Sequence, residues 1–241
     1  MKAGAGAGDD PAIEPLGETA LLLRFGTSID TALNARVHEA SQMLRSAHLP
    51  GILDIVPAYA TLALRYEPSQ WTDGHETSPW RNIAAAVRAI FRTPPAGTTS
   101  EPAIVDVPVC YGGEFGPDLD ALASHAGLDA AEIIARHSAA DYQVAMIGFA
   151  PGFPYLLGLD PALHMPRRAN PRTRVPAGSV AVGGAQTGIY PSALPGGWQL
   201  IGRTPAVLFD AQRMPPCLLA PGDRVRFVAI DAAEFAERSR A

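Results

Sequence analysis

The chain has almost no lysine, little cysteine and no long hydrophobic run. Lys2 is the only lysine, so the other positive charges are arginines. We read that bias first as genome composition and second as chemistry. The formal net charge of −5 argues against a dedicated nucleic-acid binder. Cys110 and Cys217 have no CxxC or Cys/His partner at ligand spacing, so both read as free thiols. No two histidines have metal spacing, and no metal site is expected. No apolar run reaches the ~18 residues of a membrane span. The leading MKAGAGAGDD lacks the apolar core of a signal peptide. These absences predict a cytoplasmic protein with no membrane partner. There is no GxxxxGK[ST] loop to hold phosphates and no GxSxG elbow to carry a nucleophile.

A further absence is local. Between Asp160 and Asp210 there is no acidic residue, yet five arginines lie there: Arg167, Arg168, Arg172, Arg174 and Arg203. The surrounding stretch, 148–210, is also dense in glycine and proline. Glycine permits positive φ and close backbone approach, and proline fixes φ. Around short apolar runs such as SVAVGG and AVLFD they predict tight turns between short strands, hence a small β-barrel or sandwich. Arginine forks suit carboxylate and phosphate oxygens, so an anionic ligand is expected.

Read in order, the chain predicts an α+β fold. Residues 1–12 read as a disordered tail. Residues 13–92 read as a small α/β layer: a strand over 17–25, a helix over 34–48, strands over 52–56 and 61–66, a loop over 67–79, and a helix over 80–91 capped by Ser78-Pro79. TPPAGTTSEP, residues 93–102, reads as a linker. Residues 103–241 read as the β-domain. It opens with a strand over 104–109 and two short helices over 118–125 and 129–137. Near its end a strand turns Val225, Phe227 and Ala229 inward, and a polar terminal helix follows.

Several side chains in the second part could carry chemistry. In an extended segment Arg172 and Arg174 point the same way. Arg167 and Arg168 follow Pro166. Gly183 and Gly184, followed by Gln186 and Thr187, could present backbone amides to an anion, or could simply form a turn. His137 is the first choice as general acid/base, against the alternative of a helix-end histidine; His164 is the second. Tyr190 and Trp198 could line a pocket, although aromatics at this density usually build a core.

The segments GFAPGFPYLLGLD, PRRANPRTRVPAGSVAVGG, QTGIYP and PGGWQLIGRTP resemble the family of bacterial B-type 5-oxoprolinase subunits. The family is also called allophanate hydrolase subunit 1 or KipI-type, and it is similar to half of the carboxyltransferase domain of urea carboxylase. The resemblance implies a cyclophilin-like β-barrel for residues 103–241. It implies a subunit of an ATP-dependent enzyme that opens 5-oxo-L-proline to L-glutamate. The expected partners are a second subunit of related fold (C type) and a third (A type), with ATP and Mg²⁺ used by the complex and no cofactor bound to this chain alone. On this reading His137, Arg172 and Gln186 are catalytic. Arg167, Arg168, Arg174, Gly183, Gly184, Thr187, Tyr190, Trp198 and Arg203 bind substrate or phosphate. The same resemblance carries two alternatives: an inhibitor that docks on a sensor histidine kinase, and a carboxyltransferase-like component acting on urea or a related amide.

Overall fold

The structure is a computed structural model that describes residues 10–72, 78–92 and 104–240. The expected linker, 93–102, lies outside the described residues, as do residues 1–9 of the expected tail. The chain divides into two compact units, Met1–Ser100 and Glu101–Ala241.

The first unit contains β1 (Ala12–Pro15), β2 (Ala20–Arg24), α1 (Thr31–Ser46), β3 (Ile52–Pro57), β4 (Thr61–Tyr66) and α2 (Pro79–Phe91). The strands form one antiparallel sheet in the order β1-β2-β4-β3. Alternation along β2 and β4 buries Leu21, Leu23, Leu62, Leu64 and Tyr66. They share a core with Val37, Ala40 and Leu44 of α1 and Ile83, Ala84 and Val87 of α2. Helix α1 starts three residues before the expected boundary because the Asp30 carboxylate accepts from the Ala32 and Leu33 amides at 2.9 and 3.0 Å. Ser78 makes no side-chain capping bond; α2 begins instead on the fixed φ of Pro79. Strand β1, starting inside the expected tail, is mostly exposed and so left no periodic signal. Part of the expected 67–79 loop, Pro68–Trp71, is a 3₁₀ turn; residues 73–77 lie outside the described residues.

The second unit contains β5 (Ile104–Tyr111), α3 (Leu119–Ala126), α4 (Ala130–Ala139), β6 (Tyr142–Ile147), β7 (Pro154–Leu157), β8 (Arg172–Val175), β9 (Ser179–Gly183), β10 (Gln186–Ile189), β11 (Leu194–Gly196), β12 (Gln199–Arg203), β13 (Arg224–Ile230) and α5 (Ala232–Arg238). Seven of these strands close a barrel in the order β10-β7-β6-β13-β5-β12-β9, and β11 pairs with β8 as a separate ribbon. Strand β13 runs parallel to β5; the other barrel pairings are antiparallel. With its five helices among the described residues, the chain has a mixed α/β architecture around a closed β-barrel.

Strand β9 is buried on both faces, which is why it reads as an unbroken apolar run. Val180 and Val182 turn into the barrel core with Val107, Val109, Val144, Leu156, Val225 and Phe227. Ala181 belongs to a second cluster with Phe153, Val175, Tyr190, Trp198 and Leu200. That cluster includes Val175 of β8 and, partly buried, Leu194 of β11. The expected inward set on β13 holds for Val225 and Phe227, but Ala229 is exposed. Strand β13 pairs with β6 only at Arg224 and Val225, so its far end has a neighbour on one side alone.

Candidate functional site

A cleft of about 340 Å³ opens beside the second cluster. Phe149, Phe153, Tyr155, Tyr190 and Trp198 line it with Arg167, Arg168, Pro171 and the Pro195–Trp198 turn. The rings meet edge to face: Phe153 lies 5.2 Å from Tyr190 and 5.8 Å from Trp198, and Tyr155 lies 5.8 Å from Trp198. The Arg167 guanidinium carbon sits 5.5 Å from the centroid of Trp198, a cation over an aromatic face. Burial pushes the Tyr155 and Tyr190 phenols up, partly offset by the nearby Arg167 charge. Both therefore stay protonated and can act as neutral hydrogen-bonding groups near neutral pH.

The sharpest backbone feature is at the mouth. Phe149 is a non-glycine residue at φ +68°, and the Ala150 amide donates back to the Gly148 carbonyl at 2.7 Å. This three-residue turn is a strained conformation for phenylalanine. It leaves Phe149 61% exposed beside the cleft.

The structure places the expected site residues in different settings. Arg167, Arg168, Tyr190 and Trp198 converge on the cleft. Arg172 does not serve as a free anion binder. Its two terminal nitrogens each donate to Asp118 at 2.8 Å, while Arg168 Nη1 donates to the same carboxylate at 3.2 Å. Arg172 is thus paired with an acid some fifty residues away in sequence, and Arg168 shares the same single carboxylate; one negative charge against two leaves the cluster net positive. Arg174 is exposed on β8. Arg203 is not at the cleft: its Nε donates to the Ala177 carbonyl at 2.8 Å, and its guanidinium lies over Phe235.

The glycine pair does not form an anion nest. Gly184 donates its amide to the Met165 carbonyl at 2.8 Å, tying the turn between β9 and β10 to the segment at Met165. Gly183 is needed for another reason: a Cβ there would lie 2.5 Å from the Trp198 ring. Glycine lets that ring lie on the backbone of β9 and so form the cleft wall. Gly183→Ala is expected to displace Trp198, lowering stability by about 1–3 kcal/mol and altering tryptophan emission. Chemical denaturation and fluorescence of the variant check this. Gln186 opens β10, opposite Gly183, and is not among the cleft residues.

His137 is a correction. It is fully buried within the barrel, stacked on Phe227 at 4.6 Å, and is not among the cleft residues. Thr187, also fully buried, joins it there. The hydrogen bonds assign every proton. Thr187 Oγ1 donates to the Ala181 carbonyl at 3.1 Å, so it must accept from His137 Nε2 at 3.1 Å. Nδ1 is then the acceptor, and Tyr111 donates to it at 2.8 Å. Burial lowers the His137 pKa to about 3. A neutral imidazole with both nitrogens engaged in a closed core is structural rather than catalytic. His164 is half-buried, with Nε2 3.4 Å from the Leu159 carbonyl, and is not among the cleft residues.

Sequence reasoning did not single out Asp118, Phe149, Phe153 or Tyr155 as site residues. The three aromatics stand in the run GFAPGFPY, where an aromatic set between turn glycines was the available signal. Asp118 had none; it reads as a helix N-cap. Among the described residues no group of three or more His, Cys, Asp or Glu is placed to hold a metal ion, and no helix is long and apolar enough to cross a membrane.

A family model for the carboxyltransferase domain, subdomains C and D, matches residues 11–219. The chain is 41% identical over 226 residues to the B-type 5-oxoprolinase subunit of Bacillus subtilis, covering 92% of this chain and 94% of that one. Among solved structures, TTHA0988 matches with a TM-score of 0.75 at 38% identity over 89% of this chain. This chain spans only 40% of that longer one. The Kluyveromyces lactis urea carboxylase matches with a TM-score of 0.69 at 20% identity, covering 93% of this chain and 22% of that one, a likeness of fold.

Proposed function

The chain belongs to the family of B-type 5-oxoprolinase subunits, and we propose that its cleft receives 5-oxo-L-proline for an ATP-dependent 5-oxoprolinase complex. The observation that carries the proposal is the joining of two surfaces in one cleft: aromatic faces and the Arg167–Arg168 pair. 5-Oxoproline has the complementary halves, a small flat lactam ring and a carboxylate. Ring faces suit the first, and a guanidinium fork suits the second. A kinase-docking reading asks for an apolar face, whereas here Arg167 sets a charge directly over Trp198. That charge favours a small anion.

Lactam opening is uphill and needs coupling. In this reading the γ-phosphoryl group of ATP is transferred to the amide oxygen. Water then adds to the activated carbon and the C–N bond breaks, the nitrogen taking up a proton, to give γ-glutamyl phosphate; a second water hydrolyses that acyl phosphate to glutamate and phosphate. The barrel is read as cyclophilin-like, with the cleft on its outer side. The glycine amide and the arginine expected to meet phosphates are engaged by Met165 and Asp118. We therefore assign the nucleotide and its Mg²⁺ to the C-type and A-type partner subunits or to their junction with this chain. The role left to this chain is to bind and orient the lactam, so it is expected to be inactive alone.

The test is phosphate release from ATP, with and without 5-oxoproline, by this chain alone and mixed with its partner subunits. Substrate-stimulated release in the mixture alone is expected. Arg167→Ala should then raise KM for 5-oxoproline about 10- to 100-fold, the loss of one charge-assisted contact. An unchanged KM would remove the cleft from the reaction.

A further inference from the structure

Asp118 occupies the N-cap position of α3 yet makes no capping bond. Its carboxylate turns the other way and accepts four hydrogen bonds. Arg172 supplies two at 2.8 Å, Arg168 one at 3.2 Å, and the Leu200 amide one at 2.7 Å. The side chain of Asp118 is 7% exposed, that of Arg172 24% and that of Arg168 37%. A carboxylate so placed cannot be explained by helix capping.

The segment bearing Arg168 is pinned at three points. Gln199 Nε2 donates to the Pro166 carbonyl at 2.9 Å. The Arg168 amide donates to the Gly197 carbonyl at 2.6 Å. Asp118 holds the guanidinium itself. The Nε of Arg168 is nevertheless buried without a partner among the described residues. An arginine free to choose would turn that donor to water, since a buried unpaired donor is costly. The orientation satisfies Asp118 and the cleft wall at the expense of Arg168.

We propose that Asp118 is the positioning residue of this site: directly, and through the bidentate Arg172, it holds the Arg168 guanidinium against the cleft so that the ligand carboxylate meets a preset cation. Preset geometry lowers the ordering cost of binding, and a displacement near 1 Å can cost about 100-fold. Arg172 is then a buttress. This inference rests on the reading that the cleft binds 5-oxoproline.

The test compares three variants in the reconstituted complex by the KM and kcat for 5-oxoproline. Arg168→Ala probes the site. The double variant Asp118→Asn with Arg172→Gln removes the buried Asp118–Arg172 pair together and leaves Arg168, whose side chain is 37% exposed, without its anchor. A purely stabilising Asp118 predicts a normal KM once the pair is neutral. A positioning Asp118 predicts a KM raised about 10- to 100-fold with kcat changed less than about threefold, because Arg168 has lost its anchor. Asp118→Glu keeps the charge but lengthens the arm by one methylene. It should raise KM about fivefold or more, and it carries the test if the double variant does not fold. A normal KM in either Asp118 variant, with Arg168→Ala impaired, overturns the positioning role and leaves the site standing. An unimpaired Arg168→Ala overturns the site reading itself.

Discussion

Acidification from pH 6.5 to pH 3 is expected to remove roughly 4 kcal/mol of stability through His137 alone. Its pKa is lowered to about 3 by burial, against an ordinary value of 6.5. Between these values the unfolded chain binds a proton at this side chain and the folded chain does not. Stability therefore rises with pH across the window: it is complete above 6.5 and is lost as pH falls toward 3. The physical cause is that protonation would put a charge in a closed apolar barrel. Nδ1 would also gain a hydrogen facing the Tyr111 hydroxyl, which already donates to it. The carboxylates titrate in the same range, so the informative quantity is a difference. Urea denaturation of the wild-type chain and of His137→Gln, at half-unit steps from pH 4 to 8, should give a stability gap that widens with pH and levels off above 6.5. A gap independent of pH would mean that His137 is not held neutral in the core.

Gly116→Ala is expected to cost more than about 3 kcal/mol, well beyond a surface substitution. The reason is close approach of two backbones. A Cβ at Gly116 would stand 2.0 Å from the Ile201 carbonyl oxygen and 2.7 Å from the Gly202 amide nitrogen. No flexible side chain is there to give way, so β12 or the 112–118 turn must move. The turn is tied to β12 on both sides of this point. The Gly112 amide donates to Ile201 and the Asp118 amide to Leu200, while the Leu200 amide donates to the Asp118 carboxylate. A ladder irregularity in β12 between Leu200 and Gly202 frees Leu200 to bond this way. Displacing the turn also displaces Asp118, so a surviving fraction of folded Gly116→Ala should show a raised KM. Thermal melting measures the first effect and steady-state kinetics the second. A melting temperature close to wild type would show that the turn can yield.

Arg213 illustrates a role that composition conceals. It reads as a solvated surface arginine, yet its guanidinium donates to the carbonyls of Val207, Leu208, Pro215 and Pro216. Those carbonyls lie on one loop, and the arginine bonds replace the ladder that an irregular segment lacks.

What the sequence by itself determined is local and periodic. The leucine alternation of β2 and β4, the Gly127 stop and Asp129 cap between α3 and α4, and the short strands between glycine and proline turns all follow from near-neighbour chemistry. So does the arginine-rich, turn-framed character of the stretch around Arg167 and Arg168, because rigid turns and a one-sided charge are visible within a few tens of residues. Tertiary structure alone decided the rest. The pairing of Arg172 with Asp118 spans 54 positions and depends on how close β12 passes to the 112–118 turn. His137 sits at helix-end spacing, which suits a surface acid/base and a core residue equally; closure of the barrel around it removed its water and so its charge. In both cases the deciding quantity is solvent access and partner distance, which are properties of the folded enclosure and leave no mark on residue spacing.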